Sequence, residues 1–187
     1  MSDIDEVFKH SEQRMQKAIE VTRNDFASVR TGRASPALLD RLHVEAYGSQ
    51  VPLKQVATVS TPDARTLQIA AFDRNTIGGI RKAIETSDLG LTPNIDGSNI
   101  RLSIPPLTED RRKDLVKVIR KKAEDGKVAI RNVRHKGVDE AKALFKDGKI
   151  TEDENKRAAE RIQKMTDKYI KDVDSLVAGK EKEIMEV

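Results

Sequence analysis

A long stretch of helical periodicity, from about residue 108 to residue 146, dominates this sequence. Thr108 is a plausible N-cap, Glu109 and Asp110 suit a first helical turn, and Gly148 falls where a helix would stop. At ~1.5 Å per residue such a helix is about 60 Å long. Its single apolar stripe needs other helices to cover it, which predicts a rod-like bundle. The stripe comprises Val116, Ile119, Ala123, Gly126, Ile130, Val133, Gly137, Ala141 and Leu144.

Two further segments have the same periodicity and can cover that stripe. One spans residues from about 3 to 29, with Ser2 as its N-cap. The other opens at Thr151–Glu154, which has the spacing of a capping box. Three long helices can bury their stripes against one another, and this predicts a three-helix bundle. The apolar positions are Ile4, Phe8, Met15, Ala18, Ile19, Thr22, Phe26 and Val29 in the first helix, and Ala158, Ile162, Met165, Tyr169, Val173 and Leu176 in the last.

Residues 31–106, between the first and second helices, do not share the helical periodicity of the three long segments. Glycine and proline interrupt the helical pattern at residues 31–36, and Pro105-Pro106 closes the segment. Helix and strands packed together would make a small α+β domain. The predicted strands are residues 42–47, 56–60, 66–72 and 100–104, and the predicted helix spans residues from about 75 to 87.

The predicted fold class is therefore α+β: an elongated three-helix bundle with a small β/α/β domain inserted between helices one and two. Residues 1–30 and 107–187 form the discontinuous bundle, and residues 31–106 form the insertion. Both crossings of the chain would lie close together and act as hinges, near 31–36 and 104–106. The candidate hinge residues are Thr31, Gly32, Arg33, Ser35, Pro36, Pro105 and Pro106.

Composition excludes several classes of protein. The chain of 187 residues has no cysteine, which excludes a disulfide scaffold and a thiolate site. The longest apolar run, Ile69–Phe72, is far below the ~20 residues that a membrane span needs. His10, His43 and His135 show no metal-ligand spacing, and the carboxylates lack the apolar setting that acid–base catalysis requires. We therefore expect a soluble protein that is not an enzyme, has no metal and needs no cofactor.

Positive charge is concentrated in the second predicted helix. Residues 111–136 hold 11 basic and 3 acidic side chains, although the whole chain has a net charge of only +4. A series offset by one residue from the apolar stripe follows the same rhythm, and six of its seven members are cationic. We call these six cations the ridge. The series reads Lys113, Lys117, Arg120, Glu124, Lys127, Arg131 and Arg134.

The ridge has two interpretations. A merely solvated helix more often alternates its charges, so an aligned row favours binding of phosphates, for which a solvated face is the alternative. No aromatic side chain lies among the ridge residues, and this disfavours binding of single strands, which usually stack on aromatic platforms. The row therefore predicts contact with the backbone of folded, double-helical RNA or DNA.

Four motifs resemble the bacterial ribosome recycling factor family. They occur in the family's order, and the resemblance covers essentially all 187 residues. It implies an L-shaped molecule that consists of a three-helix bundle and a hinged smaller domain. The motifs are Arg30-Thr31-Gly32-Arg33-Ala34-Ser35-Pro36, Asp88-Leu89-Gly90-Leu91, Pro105-Pro106-Leu107-Thr108-Glu109 and Arg131-Asn132-Val133-Arg134.

The resemblance also implies a function. Family members bind the post-termination ribosome, lie against large-subunit rRNA and, with the GTPase elongation factor G, separate the subunits without hydrolysing anything themselves. Together with the composition, it leads us to expect a cytoplasmic monomer that makes no membrane contact. Arg30, Arg112, Arg131 and Arg134 occupy the positions of the family's functional arginines. At His135 an arginine is common in the family, so any charge at this position would depend on pH.

Two other functions compete with this hypothesis. A helical adaptor or chaperone would recognise proteins through its apolar seam and small domain, and its binding would be insensitive to salt. A hydrolase hidden in the small domain is a third, weaker alternative.

Overall fold

The computed structural model describes residues 1–186, which divide into two compact units. One unit comprises Met1–Val29 and Lys113–Glu186, and the other comprises Arg30–Arg112. Helices make up the first unit and a mixture of helix and sheet the second, so the predicted α+β class is confirmed. The elements are α1 (Asp3–Ala27), β1 (His43–Ala46), β2 (Ser49–Pro52), β3 (Ala57–Asp63), β4 (Thr66–Ala71), α2 (Ile77–Thr86), β5 (Pro93–Asp96), β6 (Asn99–Ser103), α3 (Glu109–Lys146) and α4 (Glu152–Met185).

The ends of the long helices follow from local sequence. Ser2 and Asp5 form a capping box at α1, and the Ser2 hydroxyl, which donates to the carboxylate at 2.6 Å, holds the pKa of Asp5 below its usual range. Thr151 and Glu154 form the predicted capping box at α4. Helix α3 ends at Lys146 because Gly148 adopts a positive φ of 72°, and the Lys149 N–H closes a six-residue turn on the Leu144 carbonyl at 2.9 Å.

Two glycines set the contact between α1 and α3. A Cβ added at Gly126 would collide with the Thr22 hydroxyl, and one added at Gly137 would lie 2.6 Å from the Ser11 hydroxyl. Because residue numbers rise along α1 as they fall along α3 in these contacts, the two helices are antiparallel. The small residues of the predicted stripe therefore do permit close helix approach.

The observed seams differ from the predicted ones at individual positions. In α3 the buried residue of the first turns is Leu115, and Val116, Val133 and Leu144 are only half-buried. In α1 it is Val7 that is buried, while its neighbour Phe8 lies under the Arg161 guanidinium, 4.1 Å from the ring centre. Each apolar stripe is covered by two neighbouring helices. Which of its residues are fully buried therefore depends on how those helices pack, and the periodicity of a single helix does not reveal this.

The second unit is built on antiparallel strands. Strands β3, β4, β6 and β5 form a four-stranded sheet in that order, and β1 pairs only with β2. Leu67 of β4 lies opposite Leu102 of β6, both are fully buried, and α2 adds the buried Ile80 and Ile84 to the same core. Strands β1, β3, β4 and β6 and helix α2 coincide with predicted elements, whereas β2 and β5 were not predicted.

The first and last segments of this unit, near residues 34 and 104, both form hydrogen bonds with the turn at residues 64–65. The Ala34 N–H donates to the Ala64 carbonyl at 2.7 Å, and the Ile104 N–H donates to the Arg65 carbonyl at 2.7 Å. Gly32 has a positive φ of 78°, and a Cβ there would lie 3.1 Å from the Leu107 side chain. Thr31 is buried, Ser35 caps the short helix Pro36–Leu39, and Arg33, Pro105 and Pro106 are exposed. Their role as hinges stays a prediction.

The α1–α3 contact gives a stability prediction. We expect Gly126→Ala to lower the free energy of unfolding by about 1–3 kcal/mol, because the new methyl group must push α1 away at Thr22. Urea denaturation measures the change.

Gly179 of α4 supplies the matched control, since a Cβ there meets nothing within 4 Å. Gly179→Ala should raise the free energy of unfolding by up to about 1 kcal/mol through helix propensity alone. If both alanine variants were equally stable, close packing at Gly126 would be refuted. Combining Gly126→Ala with Thr22→Ala should recover part of the loss.

Candidate nucleic-acid interface

The six ridge cations all lie on α3, but their exposure differs. Lys113, Lys117 and Arg120 are exposed, and Lys127, Arg131 and Arg134 are half-buried. The other two predicted site residues lie in the second unit. Arg112 is half-buried in the first turn of α3, and Arg30 donates to the Leu89 carbonyl at 2.9 Å.

Three ridge cations point towards α4 at intervals of seven residues. Arg120 Nε lies 2.8 Å from a Glu181 oxygen, and Lys127 Nζ lies 2.6 Å from an Asp174 oxygen. Arg134 Nη1 donates to the Gln163 side-chain oxygen at 3.0 Å, and Gln163 in turn donates to Asp167 at 2.9 Å. Because the partners descend along α4 as the cations ascend along α3, the two helices are antiparallel. These cations therefore line the junction of α3 and α4.

A fourth ridge cation is paired within α3. Arg131 Nη1 donates to a Glu124 oxygen at 3.0 Å. Glu124 is the one acidic member of the series, so the exception in the sequence pattern is the partner of a ridge arginine. Arg134 also contacts its neighbour His135, with 3.3 Å between Nη2 and Nε2.

The ridge is thus an aligned row in which at least half of the cations already touch a carboxylate. Lys117 makes no ion pair with the part of the chain that the structure describes. Sequence reasoning missed the partners on α4, Gln163, Asp174 and Glu181. The signal was present, since Asp174 and Glu181 are seven residues apart and so match the seven-residue interval of Arg120 and Lys127.

These ion pairs are accessible to water. The exposed fractions of the side chains are 21% for Lys127 and 58% for Asp174, and 69% for Arg120 and 27% for Glu181. Each is a contact between single atoms rather than a bidentate pair, and exposed pairs of this kind contribute typically ~0.2–1 kcal/mol. The pairs therefore orient side chains without fixing the bundle.

A double-mutant cycle tests this. With Lys127→Met and Asp174→Asn, alone and combined, we expect a coupling energy below about 1 kcal/mol that decreases in high salt. Chemical denaturation at two salt concentrations measures it. A coupling energy above about 2 kcal/mol at both concentrations would mean that the pair is a structural element of the bundle.

Residues 1–186 lack two further features, a cluster of metal ligands and a membrane-spanning helix. That part of the chain contains no group of three or more His, Asp or Glu side chains that could hold a metal ion. None of its helices is both long enough and apolar enough to cross a membrane.

The architecture and the charge pattern together define a two-unit α+β protein whose helical unit carries a row of cations on its longest helix. The sequence profile of the family described as "Ribosome recycling factor" matches residues 22–185. The chain belongs to the ribosome recycling factor family.

Individual relatives extend the match to nearly the whole chain. The ribosome-recycling factor of Symbiobacterium thermophilum is 57% identical over 182 residues, which are 97% of this chain and 98% of that protein. A solved structure, "Solution structure of the ribosome recycling factor", superimposes with a TM-score of 0.79 at 43% identity, and all of both chains is covered. A second is described as models for the T. thermophilus ribosome recycling factor and the E. coli elongation factor G bound to the E. coli post-termination complex. It has a TM-score of 0.69 at 49% identity, again with full coverage of both chains.

Proposed function

We propose that this chain binds the post-termination ribosome through the ridge and, with elongation factor G and GTP, separates the subunits so that protein synthesis can begin again. The observation that carries the proposal is membership of the family over nearly the full length, and the range that the family profile matches includes Arg30, Arg131 and Arg134. The relative bound to a post-termination complex together with elongation factor G supports the same partners for this chain. Such a factor works in the cytoplasm.

Phosphates of large-subunit rRNA are the proposed ligands of the ridge. Arginine suits this role because its planar fork can donate two hydrogen bonds to one phosphate. Contacts to the backbone fix the position and orientation of the bound protein, whereas contacts to bases would be needed to read sequence. A row of backbone contacts therefore fits a protein that must hold one folded RNA in a defined place. The full proposed set is Lys113, Lys117, Arg120, Lys127, Arg131 and Arg134 on the ridge, with Arg112 and Arg30.

In this mechanism, α3 is the element that would transmit force to the RNA. Its backbone runs unbroken for 38 residues, and its apolar side is held by α1 and α4. A packed helix resists bending, so force applied to one end reaches the RNA contacts. Motion at residues 31–36 and 104–106 would let the second unit turn while the ridge stays on the RNA. In this proposal the chemical energy comes from GTP hydrolysis by elongation factor G, and this chain is not an enzyme.

Arginine variants test the RNA contact. We expect Arg134→Ala and Arg131→Ala to fold normally but to bind isolated large subunits more weakly. The slope of log affinity against log salt should fall by roughly 0.7–1 for each phosphate that the variant no longer binds. Sedimentation across a salt series measures both quantities.

Lys171 provides a control of similar charge. It is exposed on α4 and makes no ion pair within residues 1–186. Lys171→Ala should leave the affinity and the salt slope unchanged. If the two arginine variants behaved like Lys171→Ala, the ridge would be a solvated face. Binding that did not respond to salt would favour the adaptor alternative.

Subunit separation is tested directly with purified post-termination ribosomes. We expect light scattering to fall only when the chain, elongation factor G and GTP are all present, and to fall more slowly with Arg134→Ala. Separation without elongation factor G, or none with the complete mixture, would contradict the proposal.

A further inference from the structure

Three carboxylates contact cationic groups of the ridge that would also bind a phosphate. Glu181, Asp174 and Glu124 contact Arg120, Lys127 and Arg131 at 2.8, 2.6 and 3.0 Å respectively. The ridge has a formal charge of +6, and each of these three acids offsets one positive charge, on Arg120, Lys127 and Arg131 respectively. All three lie well within the ~8 Å over which charges act at physiological salt. An approaching phosphate is therefore repelled by the carboxylates as well as attracted by the cations.

The contacts leave room for a second anion. Arg120 donates to Glu181 through Nε, and neither of its Nη groups donates a hydrogen bond within residues 1–186. Arg131 uses only Nη1, and the ammonium group of Lys127 has three donors, with Asp174 as its paired acid. RNA can thus reach each cation before its carboxylate leaves.

The acids are also free to move away. Glu124 and Asp174 are exposed by 59% and 58%, and both can be hydrated once they separate from their cation. Glu181 is less exposed, at 27%, but it lies in the last turns of α4, four residues before Met185. A water-accessible carboxylate gives up a cation at small cost because water molecules take the place of the cation.

We propose that Glu124, Asp174 and Glu181 are displaceable counter-ions that weaken the binding of the ridge to the RNA backbone. This inference rests on the proposed function and assigns to these acids a role in letting the factor leave its RNA after each round. In the free protein they neutralise cations that would otherwise repel one another. In the bound protein they face phosphate and shorten the lifetime of the complex.

The opposite role for the same residues would be positioning. Carboxylates that merely aim the cations would strengthen binding, so removing their charge would weaken it. The two roles differ in the sign of the effect. Replacement by the corresponding amide separates them, because glutamine or asparagine keeps the side-chain oxygen that accepts the hydrogen bond but removes the negative charge.

The experiment uses Glu124→Gln, Asp174→Asn and Glu181→Gln, singly and together, in the full-length chain. Affinity and dissociation rate are measured on isolated large subunits and on a 20-base-pair RNA duplex, over a series of salt concentrations. Each single variant should bind about twofold more tightly at low salt, and the triple variant about five- to tenfold more tightly, mainly through slower dissociation. The gain should shrink as salt rises.

Glu20→Gln is the matched control, since Glu20 is an exposed residue of α1 that makes no ion pair with the described residues. It changes the net charge by the same amount as each single variant, and its affinity should remain that of the unmodified chain. Single variants that matched Glu20→Gln would overturn the inference, because the effect would then be one of overall charge. Weaker binding by the triple variant would overturn it in favour of positioning.

The two RNA probes distinguish failure of this inference from failure of the proposed function. If the unmodified chain did not bind large subunits at all, the proposed function would be wrong. Tighter binding of the triple variant to the duplex would still uphold the counter-ion role at the level of RNA phosphates. If large subunits bound the unmodified chain and the triple variant equally well, only the counter-ion inference would fall.

Discussion

A close approach at two glycines constrains how α1 and α3 pack against each other in the helical unit. Gly126 lies against Thr22 and Gly137 against Ser11, eleven residues apart on both helices. Eleven residues make just over three turns of an α-helix, so both contacts lie on the same side of each helix. A glycine inside a helix costs roughly 0.5–1 kcal/mol relative to alanine, and here that cost is offset by packing that a Cβ would prevent. The two contacts fix which residues of α1 face which residues of α3.

Charged side chains at the junction of α3 and α4 follow from packing rather than cause it. Two long helices packed side by side in antiparallel directions present flanking positions at intervals of seven residues, and these are the intervals of Arg120, Lys127 and Arg134. The apolar residues between them, such as Ile130 on α3 and Val173 on α4, are fully buried. Burial thus sets the register, and the accessible ion pairs form where the register brings opposite charges together.

Local chemistry made much of the fold predictable. The N-cap at Ser2, the capping box at Thr151 and the glycine at residue 148 placed three helix ends within a residue of their observed positions, because a cap depends only on nearby residues. Strands β4 and β6 were predictable because both are central and alternate buried apolar residues. Strands β2 and β5 were missed because each contains a proline, exposes most of its residues, and either pairs with a single strand or lies at a sheet edge.

For the candidate site, the sequence predicts the row of cations but not their partners. The alignment of Lys113 to Arg134 depends on the period of one helix, so the sequence alone could reveal it. Its partners could not be assigned in the same way. That Glu181 meets Arg120, or that Gln163 meets Arg134, depends on the register between two helices, and this register is set by the whole buried seam. A row of charges on one helix therefore leaves out the charges of the neighbouring helix, and here Glu181 and Asp174 of α4 lower the field that a ligand meets.

In the proposed role, the partly neutralised ridge would resolve a conflict that a repeatedly used RNA-binding factor faces. Six cations on one side of a helix repel one another in the free protein, and a row without nearby acids would hold any double-helical RNA tightly. Carboxylates at 2.6–3.0 Å from the cations would reduce both effects in the proposed role, since they would screen the cations before binding and compete with phosphate afterwards. Because exposed ion pairs are weak, a well-placed set of phosphates can displace several of them together, whereas a few scattered phosphates gain too little to do so. The acids would then favour the one RNA surface that matches the whole row over the many that match part of it.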